Sequence, residues 1–437
     1  MPDRLTPHLL RAPVQPSAVF RMLESRASEV FWLDAGAAAT EGWSFIGTGE
    51  PADLPEDVRL DAAAPAPGLP PFLGGWVGWR DYESGAAAAG APVSRETRRG
   101  QFSWMHVTRM VAFDHASGAV WTLSGPEEEE SWAREIGVVG ALAAADHTAP
   151  AVPRIATARH DPAEYAALIE RCRDLIRAGI AYQLCLTTRF TVDGPHDAVA
   201  VYQRLRTATP AHHGGFLRIS GRTLLSASPE QFLHASGGVI RTRPIKGTRP
   251  RSTDPVVDAA LAAELRIDRK ERAENVMIVD LMRNDLSRVC DPGSIRVDGL
   301  WVVESYPAVH QLVSTVSGTA AAGTTVGALF EAAFPAGSMT GAPKLSAMTR
   351  LHELEGGPRG VYAGCFGYIG GDGVLDLAMV IRSLVIDEER AVVGAGGGIT
   401  WGSVPAAEVA EVATKARAPL AALGAEMPGL WRSDILN

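Results

Sequence analysis

Four carboxylates in this sequence come as two pairs. Glu271 and Glu274 in RKERAENVMIVD stand three apart, as do Glu408 and Glu411 in PAAEVAEVATK. Both stretches have helical periodicity, so each pair points to one side of its helix. Two such pairs facing each other supply hard oxygen ligands for Mg²⁺, which takes one or two protein carboxylates and keeps its remaining positions for water and substrate. Each pair alone also reads as a salt-bridged surface face, and Glu411 with Lys415, four residues on, is such a pair. In TRPIKGTRPR, Thr242 to Arg251, Lys246 lies between two arginine-containing flanks, with Pro244 fixing the chain before it and Gly247 allowing close backbone approach after it. That pattern suits an ammonium held on a defined loop. A basic surface turn is the plain alternative.

Further candidates are weaker singly. GAGGGIT, Gly394 to Thr400, offers backbone N–H groups suited to a carboxylate or phosphate, and reads equally as a tight turn between strand and helix. Arg382 sits in a strand-like stretch, VIRSLV, where it either faces solvent or forks onto a carboxylate in a cleft. Glu230 in SASPEQF follows a proline after a strand, either a surface turn or a side chain aimed at a pocket. His310 in VHQLVST lies in an apolar run, where a satisfied core histidine is the ordinary role. Asp280, Asn284 and Asp285 read as a helix polar face. FPAGSMTGAPK looks like a phosphate loop, but Leu follows Lys344 and the spacing is short, so the nucleotide reading is rejected.

The elements that must position these residues emerge from pattern. With 437 residues, 46% of them hydrophobic, the chain can bury a large core. A formal charge of −9 and the acidic run Glu127 to Glu130 argue against nucleic acid or an anionic membrane as partner. The four cysteines (172, 185, 290 and 365) lack the short spacings of metal or redox motifs, and no signal or membrane-spanning stretch is evident, so a cytoplasmic protein with reduced thiols is expected. Residues 1–150 alternate short β-rich runs (FWLDA, WSFIGTG, FLGGWVGW, MVAFD, AVWTLS) with Gly, Pro and Ala connectors, predicting antiparallel sheet. His147 to Pro162 reads as a connector. Beyond it come a helix over PAEYAALIERCRDLIRAG, a strand over AYQLCLTTRFTV, one helix from about Pro255 to Val289, a strand pair near SIRVDGLWVVE, a helix around LFEAAF, three strands over YAGCFGYIG, DLAMVIRSLVID and RAVVGAGGGIT, and a closing helix. This mixture predicts an α+β fold.

Taken in order, AYQLCLTTRF, SASPEQF, RPIKGTRPR, ENVMIVDLMRNDLSRV, AVHQLVS, FPAGSMTGAPK, YAGCFGYIG, IRSLV, GAGGGITWGS and AEVAEVATKAR resemble the chorismate-utilising enzymes: the first components of anthranilate and aminodeoxychorismate synthases, and the isochorismate and salicylate synthases. The resemblance spans residues 160–425, the chorismate-binding catalytic region, and FWLDA, GWSFIG and FLGGWVGW resemble the family's N-terminal part, with the two regions interleaved in one structural unit. It implies two packed antiparallel β-sheets with helices outside and the substrate cleft between them. PIKGT resembles the aminodeoxychorismate synthase form of the family, whereas anthranilate synthases carry alanine at the lysine's place.

On that resemblance Lys246 is a nucleophile that adds to carbon 2 of chorismate as the carbon 4 hydroxyl leaves. Ammonia then enters at carbon 4 and expels the lysine, giving 4-amino-4-deoxychorismate. Such chemistry demands an amine lone pair, favoured by desolvation or neighbouring positive charge, and a general acid, matched here by Glu230. Glu274 and Glu411 match the Mg²⁺ ligands, with Glu271 and Glu408 beside them holding metal-bound waters. Gly396, Gly397 and Gly398 would donate to the ring carboxylate, and Arg382 and Tyr362 would bind the enolpyruvyl carboxylate. Lys415 is a further cation, and His310 and Thr248 line the pocket. Gln183 stands where members that add water carry a lysine base, which argues against isochorismate and salicylate synthesis. Cys185 and Gln231 depart from the asparagine and arginine usual at their places. MLESRASEVFWLDA resembles the region that binds feedback tryptophan in anthranilate synthases. No glutamine amidotransferase region accompanies the match, so the resemblance implies a heterodimer with an amidotransferase subunit that supplies ammonia. A separate lyase would release p-aminobenzoate, for folate or a specialised metabolite. The nearest rival is anthranilate synthase component I, and a non-catalytic chorismate-binding regulatory subunit is opposed by the full set of matched groups.

Overall fold

The computed structural model describes residues 4–11, 13–61, 68–94, 102–140, 153–307 and 309–432. Their strands join into one continuous network of 20 strands, every pairing within it antiparallel, with a small parallel pair of two strands beside it. Strands from the N-terminal part pair with strands from the rest of the chain. Val30–Asp34 lies against His213–Ile219, and Gly75–Arg80 lies against Cys365–Gly370.

Alternation along these strands builds the layers. One apolar cluster, with Phe31, Phe45, Trp79, Val107, Leu217, Phe366 and Tyr368, draws on strands and their links alone and fills the space between sheet faces. Two flanking clusters bring in the helices. Trp132, Tyr165, Tyr202, Leu351 and Val412 belong to one; Ile278, Met282, Phe330 and Met348 belong to the other. The arrangement is the α+β fold with helices outside a sheet core.

Several boundaries differ from expectation. The predicted helix over 255–289 is two helices, Pro255–Ile267 and Arg269–Ser287. Asp268 breaks it: its carboxylate accepts from the backbone N–H of Lys270 (2.8 Å) and Glu271 (3.0 Å), an N-cap that starts a new helix. SIRVDGLWVVE is one strand, Arg296–Ser305, with two register shifts against Val309–Thr319. The three predicted C-terminal strands are four: Cys365–Gly370, Leu375–Met379, Ser383–Ile386 and Arg390–Ile399. In the expected connector, residues 147–152 lie outside the described residues, and the remainder includes two short strands, Arg154–Ile155 and Thr157–Ala158. The acidic run opens the helix Glu129–Gly140, where acidic side chains favour a helix start.

A buried ion pair ties these layers together. The Arg359 guanidinium donates to both oxygens of Glu355 (2.9 and 2.7 Å), to the carbonyl of Met339 (2.6 Å) and to that of Cys185 (2.8 Å). Glu355 in turn accepts from the Thr187 N–H at 2.9 Å. Both side chains are buried. Removing one partner strands the other charge out of water, so Arg359→Met is expected to cost about 3–5 kcal/mol, read by chemical denaturation.

Candidate active site

A cleft of about 490 Å³ collects residues from widely separated parts of the sequence. Its first wall is the strand Ile245–Pro250, which carries a bulge. Ile245 pairs with Val313 and Thr248 with Gln311, so Lys246 and Gly247 are squeezed into a register meant for one fewer residue. Gly247 takes φ +83°, and a methyl there would meet Leu265 at 2.9 Å and Glu271 at 3.1 Å. Only glycine fits that conformation beside those neighbours. The bulge turns Lys246 into the cleft, so the feature read as a loop is a kinked strand. Thr248 lines the cleft as well.

The second wall is the glycine run, which lies in the strand predicted over RAVVGAGGGIT and not in the turn its composition alone suggests. Residues 390–399 pair along their whole length with Gln183–Asp193, but Ser383–Ile386 covers only residues 391–393 on the other edge. From Gly394 to Gly398 that edge opens on the cleft. Here an unpaired sheet edge presents backbone groups to a ligand with no side chain intervening. Gly394 is required for a second reason: a methyl would stand 2.1 Å from Cγ of Tyr362, which packs against the strand and lines the cleft.

The two carboxylate pairs face the cleft from the first two turns of Arg269–Ser287 and Pro405–Ala422, with Glu271 and Glu408 in the first turn. Helix N-termini favour carboxylates within the first turn, which supports the charge of Glu271 and Glu408. Ser403 donates to Glu408 at 2.8 Å, and Glu411 accepts from Lys415 at 2.7 Å. Lys415 also donates to the Gly396 carbonyl at 2.9 Å, tying helix to glycine strand. Glu271 lies 3.6 Å from Arg249, itself anchored on Glu264 and Asp268. Burial pushes Glu274 and Glu408 above the ordinary carboxylate range. Burial acts on Glu411 too, but Lys415 together with Lys270 and Lys246 more than offsets it and holds that group below the range.

Glu230 is buried at the end of the strand Arg222–Ser228, with Ser338 donating to it at 3.2 Å. Desolvation raises it to about 7, against the opposing pull of Lys246. It faces the same cleft. Arg382 lines the cleft from the link between Leu375–Met379 and Ser383–Ile386, not from a strand, and adopts a left-handed φ of +52°. That conformation is uncommon for a side chain of its size. Burial lowers its pKa, partly offset by Tyr362 and Glu411. Gln183 is fully buried behind Gly398: a methyl on Gly398 would lie 2.4 Å from its amide nitrogen and 3.7 Å from Nζ of Lys246. Neither atom of its amide has a protein partner.

Gln183 thus stands behind the cleft wall and not on it, and His310 is off the cleft altogether. Its side chain bonds Asp258 (2.9 Å) and Ser305 (2.8 Å) and does not line the cleft. Neighbouring residues of a strand point to opposite faces, so the next residue, Gln311, is the one that lines the cleft, with its amide oxygen buried and unpartnered. Cys185 lines the cleft, and Gln231 instead bonds Asp376 at 2.9 Å. Lys270 and Ser338 were missed by sequence reading. Lys270 was legible, standing four residues before Glu274 on the same helix face. Ser338 was not, because its approach to Glu230 depends on contacts between distant segments.

The donor set fits a divalent cation. Among the described residues no three His, Cys, Asp or Glu converge as a finished metal nest. Mg²⁺ needs only one or two carboxylates, however, and Lys270 already places a positive charge between Glu274 (3.9 Å) and Glu408 (3.8 Å). A second cavity, of about 700 Å³, lies under the N-terminal part and is lined by Leu33, Asp34 and Ala35. Glu24, from the same stretch, pairs with Arg218.

Residues 20–421 match the model of the chorismate binding enzymes. The chain belongs to this family. It is 43% identical over 389 residues to the aminodeoxychorismate synthase of Streptomyces pristinaespiralis, covering 85% of this chain and 54% of that protein. It is 38% identical over 384 residues to anthranilate synthase component 1 of Streptomyces coelicolor, covering 83% and 75%. This chorismate binding enzyme therefore spans about half the length of the first relative and three quarters of the second. Among solved structures, anthranilate synthase component I from Streptococcus pneumoniae superimposes with a TM-score of 0.74 at 27% identity, covering 96% of this chain and 92% of that one. The menaquinone-specific isochorismate synthase of Escherichia coli shares the fold, with a TM-score of 0.72 at 16% identity over 96% and 94%. No helix among the described residues is long and apolar enough to cross a membrane.

Proposed function

We propose that this chain is an aminodeoxychorismate synthase acting through Lys246. The observation that carries the reading is the bulge that turns Lys246 into a cleft shared with a buried, proton-holding Glu230 and an open glycine edge. The Lys246 amine forms a bond to carbon 2 of chorismate, the ring double bonds shift, and the carbon 4–oxygen bond breaks. Glu230 delivers the proton with which that oxygen leaves as water. Ammonia then bonds to carbon 4, the double bonds shift back, and the lysine leaves carbon 2 with its electron pair returned to nitrogen. Gly396, Gly397 and Gly398 present backbone donors to the ring carboxylate, while Arg382 and Tyr362 hold the enolpyruvyl carboxylate. Glu274 and Glu411 would hold Mg²⁺, with Glu271 and Glu408 on its waters. When bound, the ion offsets the charge of the dianionic substrate. Gln183 cannot deprotonate water, which supports amination over hydration.

Ammonia comes, in this reading, from a glutamine amidotransferase partner. Mixing the two with chorismate is expected to give glutamine-dependent turnover well above that of this chain alone. Anthranilate synthesis is the second reading, favoured by the similarity to anthranilate synthase component 1. Product analysis decides between them. Purified protein with chorismate, Mg²⁺ and ammonium is expected to give an amine that retains the enolpyruvyl group and yields p-aminobenzoate only when an aminodeoxychorismate lyase is added. Direct release of anthranilate would overturn the proposal.

A further inference from the structure

The two lysines on the carboxylate pairs are held in contrasting ways. Lys415 is fixed by hydrogen bonds of 2.7 and 2.9 Å to Glu411 and the Gly396 carbonyl. Lys270 stands 3.9 Å from Glu274 on its own helix and 3.8 Å from Glu408 on the other, beyond hydrogen-bonding range of both. Charge alone retains it there. Its position in the first turn of Arg269–Ser287 sets it against the positive end of that helix. The anions across the cleft are what hold it.

Exposure differs in the same sense. The Lys270 side chain is 57% exposed, whereas those of Glu274 and Glu408 are 13% and 6% exposed. The ammonium can swing outward on a solvated stem. The carboxylates cannot go with it.

We infer that Lys270 is an internal counter-cation of the cleft, which holds the facing carboxylates together until a divalent cation displaces it. The inference rests on the proposed metal role of these glutamates. Lys270 and the divalent cation compete for one region of negative potential, so removing the lysine charge strengthens cation binding. It also leaves the carboxylates to repel one another in the metal-free protein.

The test is calorimetric titration of Mg²⁺ into the full chain without chorismate, with thermal melts of the same samples. Two half-exposed pairs at the strength typical of such contacts correspond to about a five- to tenfold effect. Lys270→Met is expected to bind Mg²⁺ that much more tightly, to melt lower without metal, and to gain more from Mg²⁺ than the parent. Lys270→Arg, which keeps the charge, is expected to bind like the parent. Equal affinity in parent and Lys270→Met, or weaker binding in the variant, overturns the inference. So does tighter binding in Lys270→Arg matching that of Lys270→Met, since bulk and not charge would then be at work. Absence of Mg²⁺ binding in every protein, with or without chorismate, would instead remove the metal reading beneath it.

Discussion

Lys246→Ala is expected to abolish formation of the 4-amino product, with any residual turnover appearing as the 2-amino series that leads to anthranilate. In the proposed mechanism nothing but the lysine occupies carbon 2 while ammonia enters at carbon 4, so its removal leaves carbon 2 open to ammonia itself. The scaffold is expected to survive the change. The bulge depends on Gly247 and on the pairing of Ile245 and Thr248 with the neighbouring strand, none of which involves the lysine side chain. Chromatography with mass detection, run beside a thermal melt, separates lost chemistry from lost fold. Undiminished 4-amino product from Lys246→Ala would eliminate the covalent role.

Glu230→Gln is expected to lower kcat by roughly 10²–10⁴-fold, the range for loss of a positioned general acid. A glutamine keeps the shape but has no acidic proton to give the departing oxygen. In the parent, kcat/KM is expected to fall as pH rises through about 7, because the free enzyme's acid then loses its proton. The same group also makes stability depend on pH. The native group holds its proton up to about 7, while in the unfolded chain it ionises near 4.5. Between those values the native state binds more protons, so stability contributed by this group declines as pH rises, reaching a cost of about 3 kcal/mol above pH 7. Glu230→Gln removes that cost, and is expected to be more stable than the parent at pH 8 and little changed at pH 4. A variant that loses both activity and stability at pH 8 would show that Glu230 serves packing.

Much of this was legible in the sequence because it depends on local pattern. The spacing of Glu271 with Glu274 and of Glu408 with Glu411 fixes their common faces wherever the helices lie, and Gly247 announces a backbone that side chains do not adopt. What escaped reading depends on long-range geometry. The strand over RAVVGAGGGIT was legible but its open edge was not: Gln183–Asp193 runs beside its full length, while Ser383–Ile386 covers only residues 391–393. The break at Asp268 was missed because the helical pattern continues through it, and only the cap contacts show that a second helix begins. His310 and Gln311 illustrate the narrowest failure: in a strand, an error of one residue exchanges cleft for core.

The bulge at Lys246 has a consequence for how chemistry changes in such a protein. The kink is maintained by one residue and, in the proposed mechanism, the reaction is carried by its neighbour, so the two are free to vary separately. On that mechanism, exchange of the neighbour would alter which ring carbon receives the incoming group without any new architecture, and without disturbing the carboxylates or the glycine edge proposed to hold the substrate. Divergence between products then requires a single codon on an inherited framework, and an ancestor with either residue would already have possessed the remaining apparatus.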